Sequence, residues 1–139
     1  MTTRGRCLCG SVAFSFEGPE LWRGYCHCAS CRRNTASPVT AFLGVPADKA
    51  RLEGEGLAVY ASSPGVRRSF CSRCGTPMAY ESEREPGEIH FYAATLDAPE
   101  AYAPDFHVHA GERLDWFEVA DELPRYRAGS EGPEVSEKV

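Results

Sequence analysis

The chain has no long apolar run. No stretch of its 139 residues approaches the roughly 20 consecutive apolar residues of a membrane-spanning helix. The first residues, MTTRGRCLCGS, have no apolar segment of the kind found in secretory signals. We therefore expect a cytoplasmic protein with no membrane partner.

Basic residues are also few. The chain has 15 Lys and Arg against 20 Asp and Glu, a formal net charge of −5. Because nucleic-acid binding relies on cations that neutralise phosphates, we expect no nucleic-acid partner. No Gly-rich loop follows a predicted strand, so the sequence does not predict a nucleotide site.

The cysteines are plentiful but odd in number. There are seven in all, grouped as C-x-C, C-x-C-x-x-C and C-x-x-C. Seven cysteines cannot all pair within one chain, and two cysteines in C-x-C are too close for an easy bridge. In a reducing compartment such clusters are typical of metal sites, so metal ligation is favoured over a disulfide framework.

The pattern of short apolar segments predicts a mostly-β fold. Gly and Pro supply 23 residues, which favours turns and short strands. Short helical turns are predicted at Cys28–Thr35 and Ala47–Ala50. We predict one domain over residues 1–127 and a disordered tail over 128–139. Strands are predicted at Ser11–Glu17, Leu21–Cys26, Pro38–Val45, Leu57–Ala61, Val66–Phe70, Pro77–Glu81, Glu88–Thr95, Phe106–Ala110 and Trp116–Val119.

Two cysteine pairs have the form of zinc-binding turns. In each of them a glycine follows the second cysteine, and glycine lets the backbone curl under a metal ion. Together the pairs would make a closed four-sulfur zinc site with no vacant position, which is structural by its chemistry. These ligands are Cys7, Cys9, Cys71 and Cys74.

The remaining cysteines, Cys26, Cys28 and Cys31, lie within six residues of one another. A tripod of three thiolates leaves the fourth position of zinc open, as in catalytic sites. Other cysteine pairings stay open, and His27, His107 or His109 could close the site. Sulfur-rich zinc suits a soft fourth ligand such as an incoming thiol, so we expect chemistry at sulfur.

These groups resemble the glutathione-dependent formaldehyde-activating family, also called the centromere-protein-V-like domain. The resemblance covers residues 4–127 in family order. The matching stretches are CLCGSVAFSFEG, YCHCASCRRNTASPVTAFLGVP, RSFCSRCGTPMAY, ATLDAP and WFEVADELPRY.

The resemblance implies short antiparallel sheets around zinc knuckles, the Mss4-like or β-tent fold. It also implies two zinc ions per chain, the structural one on the C-x-C and C-x-x-C pairs and the catalytic one on Cys26, Cys28 and Cys31. The implied reaction is a carbon–sulfur lyase in reverse, which condenses glutathione with formaldehyde to S-(hydroxymethyl)glutathione. Glutathione is thus the expected co-substrate, and a homodimer is left open.

The chain departs from the family pattern at three positions. Ala36 and Ala94 stand where members commonly have glycine, and His109 stands where a large aromatic residue is common. These departures bear on the substrate. Two other functions stay open: a zinc-scaffolded binding module without catalysis, and a thiol-dependent enzyme that acts on another electrophile.

Several side chains near the tripod are candidates for glutathione binding. The two carboxylates of glutathione need cationic partners. Trp22, Phe42 and Trp116 are interpreted as core residues rather than pocket walls. The candidate glutathione-binding residues are Arg32 and Arg33 for the carboxylates, and Asn34 and Thr35 for the peptide groups.

Overall fold

The computed structural model describes residues 1–135, and over these residues the chain is mostly β. Short 3-10 turns, the first of them Ala47–Lys49, connect several of the strands. The elements are β1 (Thr2–Arg6), β2 (Ala13–Glu17), β3 (Trp22–Cys26), α1 (Ala29–Thr35), β4 (Thr40–Pro46), β5 (Ala50–Glu53), β6 (Leu57–Ser63), β7 (Val66–Cys71), β8 (Pro77–Ser82), β9 (Glu88–Tyr92) and β10 (Phe106–Val108).

The chain divides into two compact units. Unit 1 consists of Met1–Trp22 and Leu43–Tyr102, and unit 2 consists of Arg23–Phe42 and the residues from 103 onward. Over residues 1–135 no helix has the length and apolar character that crossing a membrane requires.

Unit 1 contains two antiparallel arrangements of strands. In the first, β2 pairs with β1 on one side and β5 on the other. In the second, the order is β9-β8-β7-β6, and each strand pairs with the next along the chain. Hairpin-like neighbours of this kind need only short turns, as the high content of Gly and Pro predicts.

The core of unit 1 forms around strand β2. Val12, Phe14 and Phe16 alternate along the chain and are almost fully buried. The rings of Phe14 and Phe91 stack with their centroids 4.0 Å apart. The period-2 pattern therefore identifies the buried face of this strand correctly.

Unit 2 contains α1 together with a parallel strand pair. β10 lies beside β3, with His107 opposite Tyr25 and Val108 opposite Cys26. Gly24 allows the close approach, because a side chain there would collide with the ring of Phe106. This parallel pair departs from the purely antiparallel expectation.

The mostly-β prediction is confirmed, with differences at individual elements. The helical turn predicted at Cys28–Thr35 is α1, and most predicted strands are present within a few residues of their predicted ends. The strand predicted at Trp116–Val119 is wrong, because Trp116 lies in a turn and no strand follows it up to residue 119. Strands β1 and β5 were not predicted.

The prediction of one domain over residues 1–127 and a tail over 128–139 stays a prediction. The described part of this tail, residues 128–135, takes part in backbone hydrogen bonds. Arg127 N–H donates to Pro133 O at 2.9 Å, and Val135 N–H donates to Arg125 O at 2.7 Å. Residues 136–139 lie outside the described part of the chain.

Candidate functional site

Four cysteines of unit 1 converge on one point. The sulfur atoms of Cys7, Cys9, Cys71 and Cys74 all lie within 4.8 Å of one another and could hold a metal ion. The Cys7–Cys9 sulfur separation is 3.7 Å and the Cys9–Cys71 separation is 3.8 Å. We call this group the four-cysteine cluster.

Two left-handed glycines shape the turns that carry these cysteines. Gly10 has a φ of 84° and Gly75 a φ of 83°, values that residues with a Cβ rarely adopt. Gly75 N–H donates to Cys71 O at 2.7 Å and Gly10 N–H donates to Cys7 O at 3.2 Å. Each pair is thus followed by a glycine whose left-handed backbone turns the chain, and its role under a metal ion stays a prediction.

Gly56 is a supporting residue that the sequence analysis did not identify. A Cβ at this position would lie 2.9 Å from the sulfur of Cys71 and 2.6 Å from the hydroxyl oxygen of Ser11. Its N–H donates to that hydroxyl at 2.8 Å. Only glycine therefore fits against this side of the four-cysteine cluster.

Three cysteines of unit 2 form a second group. The sulfur atoms of Cys26, Cys28 and Cys31 lie within 4.8 Å of one another and could hold a metal ion. Cys26 ends strand β3, and Cys28 is the N-cap of α1, where its sulfur accepts a hydrogen bond from Cys31 N–H at 3.3 Å. The end of β3, the N-cap of α1 and the helix itself each supply one of the three cysteines, and the tight connection brings their side chains together. We call this group the three-cysteine cluster.

The thiols of Cys26 and Cys28 in this cluster have pKa values shifted in opposite directions. Hydrogen bonds from the thiols of Cys26 and Cys31 lower the pKa of Cys28 to about 2, and His109 contributes a smaller lowering. The thiols of Cys28 and Cys31, together with burial, raise the pKa of Cys26. A cation bound at the cluster would remove this conflict, because it favours thiolate at every sulfur.

No histidine of residues 1–135 joins either cysteine group. His27 instead forms a buried series of hydrogen-bonded side chains with His107 and Asp121 within unit 2. His27 Nε2 lies 2.8 Å from His107 Nδ1, and His107 Nε2 lies 3.0 Å from one Asp121 oxygen and 3.1 Å from the other. His107 is fully buried and His27 nearly so.

The Asp121 carboxylate fixes which atom donates and which accepts in both hydrogen bonds of this series. Asp121 can only accept, so His107 donates from Nε2 and its Nδ1 is an acceptor. His27 must then donate from Nε2, which leaves its Nδ1 as the unprotonated nitrogen. Burial, the neighbouring His107 and the charges of Arg125 and Arg113 lower the pKa of His27 to about 4, consistent with a neutral ring.

Asp121 is itself held by several donors. Burial alone would raise its pKa, but the hydrogen bonds from His107 and from Leu123 N–H lower the pKa of this carboxyl. Arg125 Nη1 lies 3.0 Å from the same carboxylate. The two histidines, Arg113 and Arg125 line a small cavity of about 30 Å³.

The residues predicted to bind glutathione follow Cys31 directly, on helix α1. Arg32 and Arg33 occupy the last turn of α1, where Arg33 is exposed. The Nε of Arg32 is buried without a hydrogen-bond partner. Thr35 donates its hydroxyl to Cys31 O at 2.8 Å, so that proton is committed to the helix, and Asn34 is exposed. Their role toward glutathione stays a prediction.

The aromatic residues interpreted as core differ in outcome. Phe42 is buried, and Trp22 packs edge-on to His90 with ring centroids 4.6 Å apart. Trp116 is 74% exposed, so its interpretation as a core residue is wrong. The reason is its place in a turn, where no partner strand covers the ring.

One cavity lies in unit 1 and has none of the cysteines in its lining. Its volume is about 710 Å³ and its lining is rich in glutamate, including Glu81, Glu83, Glu85 and Glu88. Arg67 on the same lining pairs with Glu81 at 3.0 Å. An acidic groove of this kind does not suit an anionic peptide such as glutathione.

Comparison with known proteins decides the family. The model of a family described as glutathione-dependent formaldehyde-activating enzyme matches residues 2–112, which include both cysteine clusters. The chain belongs to this family. One curated relative, from Halomonas elongata, is 29% identical over 99% of this chain and 94% of its own length, and its name assigns it provisionally to the same family.

A solved structure supports the fold alone. A Rhodobacter sphaeroides protein of known crystal structure is similar with a TM-score of 0.57 and 23% identity. The similarity covers 68% of this chain and 87% of that protein. The match to the family model confirms the family resemblance inferred from the cysteine motifs.

Proposed function

We propose that this family member is a zinc-dependent enzyme that condenses glutathione with formaldehyde to S-(hydroxymethyl)glutathione, and that it works in the cytoplasm. In the reverse direction the reaction is that of a carbon–sulfur lyase. The observation that carries the proposal is the three-cysteine cluster of Cys26, Cys28 and Cys31, which gathers three sulfur atoms and no histidine of the described residues.

The donor set of this cluster fits zinc. Tetrahedral zinc with bonds of about 2.3 Å to sulfur places its ligands about 3.8 Å apart. The sulfurs of Cys26 and Cys31 are 3.8 Å apart, and those in the four-cysteine cluster are separated by 3.7 and 3.8 Å. Thiolates are also the soft ligands that select zinc over magnesium or calcium.

The two clusters suit different roles. Four sulfurs fill a tetrahedral zinc completely, so Cys7, Cys9, Cys71 and Cys74 would hold a structural ion. Three sulfurs leave one position, where zinc would lower the pKa of an incoming thiol and hold its sulfur for reaction.

The protein's own groups would position the substrates. Arg32 and Arg33 follow Cys31 directly, and a guanidinium can bind a carboxylate of glutathione through two parallel hydrogen bonds. The unpartnered Nε of Arg32 is a donor that such a carboxylate would satisfy. Holding the thiol and the aldehyde together turns a bimolecular encounter into a local one, which is worth several orders of magnitude in rate.

The reaction can be tested by exchange spectroscopy. Formaldehyde adds to thiols without a catalyst, so the rate of interconversion must be compared with and without the zinc-loaded protein. We expect faster exchange between glutathione and its hydroxymethyl adduct when the protein is present. Two bound zinc ions without any acceleration would contradict this reaction and leave another thiol, another electrophile or a binding module.

A further inference from the structure

His109 has a left-handed backbone on the segment bound beside the three-cysteine cluster. Its φ is 54° and its ψ is 34°, the left-handed region that residues other than glycine and asparagine seldom adopt. Among non-glycine residues of the described chain, only Ala36 shares a positive φ. Backbone strain of this kind persists where the surrounding structure imposes it, and it is concentrated at functional sites.

Two hydrogen bonds place His109 beside Cys28. On one side of Cys28, His27 N–H donates to the carbonyl oxygen of Val108 at 3.1 Å. On the other side, Ala29 N–H donates to Glu112 Oε1 at 3.0 Å. The two neighbours of Cys28 in the chain are therefore bound to the segment that presents His109.

Glu112 also lies within ion-pair distance of the imidazole. Its second oxygen, Oε2, lies 3.5 Å from His109 Nδ1. One carboxylate thus connects the first residue of α1 to the His109 ring. A neutral His109 whose Nδ1–H faces this carboxylate would have its lone pair on Nε2.

The side chain is accessible to a substrate. His109 is 40% exposed, in contrast to the fully buried His107. An accessible imidazole that is paired with a carboxylate, on a segment bound to both neighbours of Cys28, has the arrangement of a general acid–base group.

We propose that His109, oriented by Glu112, is a further catalytic residue that moves the proton from the thiol to the aldehyde oxygen. This inference rests on the proposed function. As the carbon–sulfur bond forms, the thiol proton passes to His109 Nε2, and the π pair of the carbonyl moves onto its oxygen. The imidazolium then returns the proton to that oxygen, so the product carries a hydroxyl group and His109 is neutral again.

The matched substitution is His109→Asn. Asparagine tolerates the left-handed backbone and can still bond to Glu112, but it cannot carry a proton. We expect the catalysed exchange between glutathione and its hydroxymethyl adduct to fall about 10²-fold, with the zinc content by native mass spectrometry unchanged. Glu122→Gln, at an exposed glutamate of unit 2, is the control and should keep the wild-type rate.

Imidazole rescue separates proton transfer from a structural role. His109→Gly accommodates the positive φ and removes the ring. Added imidazole should raise the rate of this variant and leave that of the wild type unchanged. No rescue, together with a wild-type rate in His109→Asn, would overturn the role of His109 while leaving the proposed function intact.

A second readout does not depend on activity. In long-range ¹H–¹⁵N spectra of the zinc-loaded protein, neutral His109 should carry its proton on Nδ1, and Glu112→Gln should abolish this preference. A proton on Nε2 in the wild type would contradict the orientation by Glu112. Absence of catalysis by the wild type would overturn the proposed function, and with it the role of His109.

Discussion

His27 Nε2 lies 2.8 Å from His107 Nδ1, which connects the residue between Cys26 and Cys28 to a fully buried imidazole. Because Asp121 accepts from His107 on the far side, the protons of both rings are fixed in direction. The backbone between two cysteines of the three-cysteine cluster is thereby connected to residues 80 and 94 positions further along the chain, His107 and Asp121.

Asp121→Asn should destabilise the protein. The substitution keeps the size of the side chain and removes the charge that His107 and Arg125 contact. We expect the free energy of unfolding to fall by about 1–3 kcal/mol in urea titrations of the zinc-loaded protein. Asp115→Asn, at an exposed aspartate of the same unit, should change it by no more than about 0.5 kcal/mol. Equal stability of the two variants would contradict a stabilising role for the hydrogen bonds among His27, His107 and Asp121.

Stability should depend on the protonation of His27. Its folded pKa of about 4 lies below its ordinary value, so the unfolded chain binds more protons in the range between the two. Its contribution is therefore fully present above about pH 6.5 and is lost as the pH falls toward the folded value. We expect the free energy of unfolding to fall less steeply on acidification in His27→Gln than in the wild type. Thiolate protonation occurs in both proteins, so parallel curves would rule out the contribution of His27.

Ala36→Gly should stabilise the protein. Ala36 has a φ of 56° at the carboxyl end of α1, where glycine avoids the steric cost of a Cβ. We expect a gain of about 0.5–1 kcal/mol in the free energy of unfolding after the entropic cost of glycine. Ala94→Gly is the matched control, since Ala94 is not among the positive-φ residues of the described chain, and it should be destabilising. A gain at Ala94 and none at Ala36 would contradict this explanation.

The two cysteine clusters should respond differently to loss of a ligand. Cys74→Ser removes a sulfur from the closed cluster, and we expect one zinc fewer by native mass spectrometry with a marked fall in melting temperature. Cys28→Ser should also lose one zinc but keep a cooperative thermal transition, because the four-cysteine cluster is intact. If both variants kept two ions, the assignment of ligands would be wrong.

The sequence was most informative where chemistry and spacing coincide. The grouping of Cys7, Cys9, Cys71 and Cys74 was predicted because glycine-terminated turns present two sulfurs each, and the structure places these four together. The buried face of β2 followed from strict alternation of its apolar residues. Of the two alanines that stand where the family commonly has glycine, Ala36 has a left-handed φ and Ala94 does not.

Long-range contacts could not be predicted. Nothing in the local pattern indicates that His107 faces both His27 and Asp121, because a lone histidine has no period or spacing to reveal its partners. Glu112 was missed for the same reason, since an exposed glutamate in a 3-10 turn resembles any solvated residue. The strand expected at Trp116–Val119 failed because a short apolar run predicts burial only when a neighbouring strand covers it.

The central claim is that the three-cysteine cluster performs the chemistry, and Cys28→Ser tests it most directly. The exchange rate between glutathione and S-(hydroxymethyl)glutathione should be measured by NMR for the wild type, for Cys28→Ser and for Ser30→Ala, a control between two cysteines of the same cluster. We predict acceleration by the wild type and Ser30→Ala, and only the uncatalysed rate with folded Cys28→Ser. Full acceleration by Cys28→Ser would contradict the assignment of catalysis to this cluster.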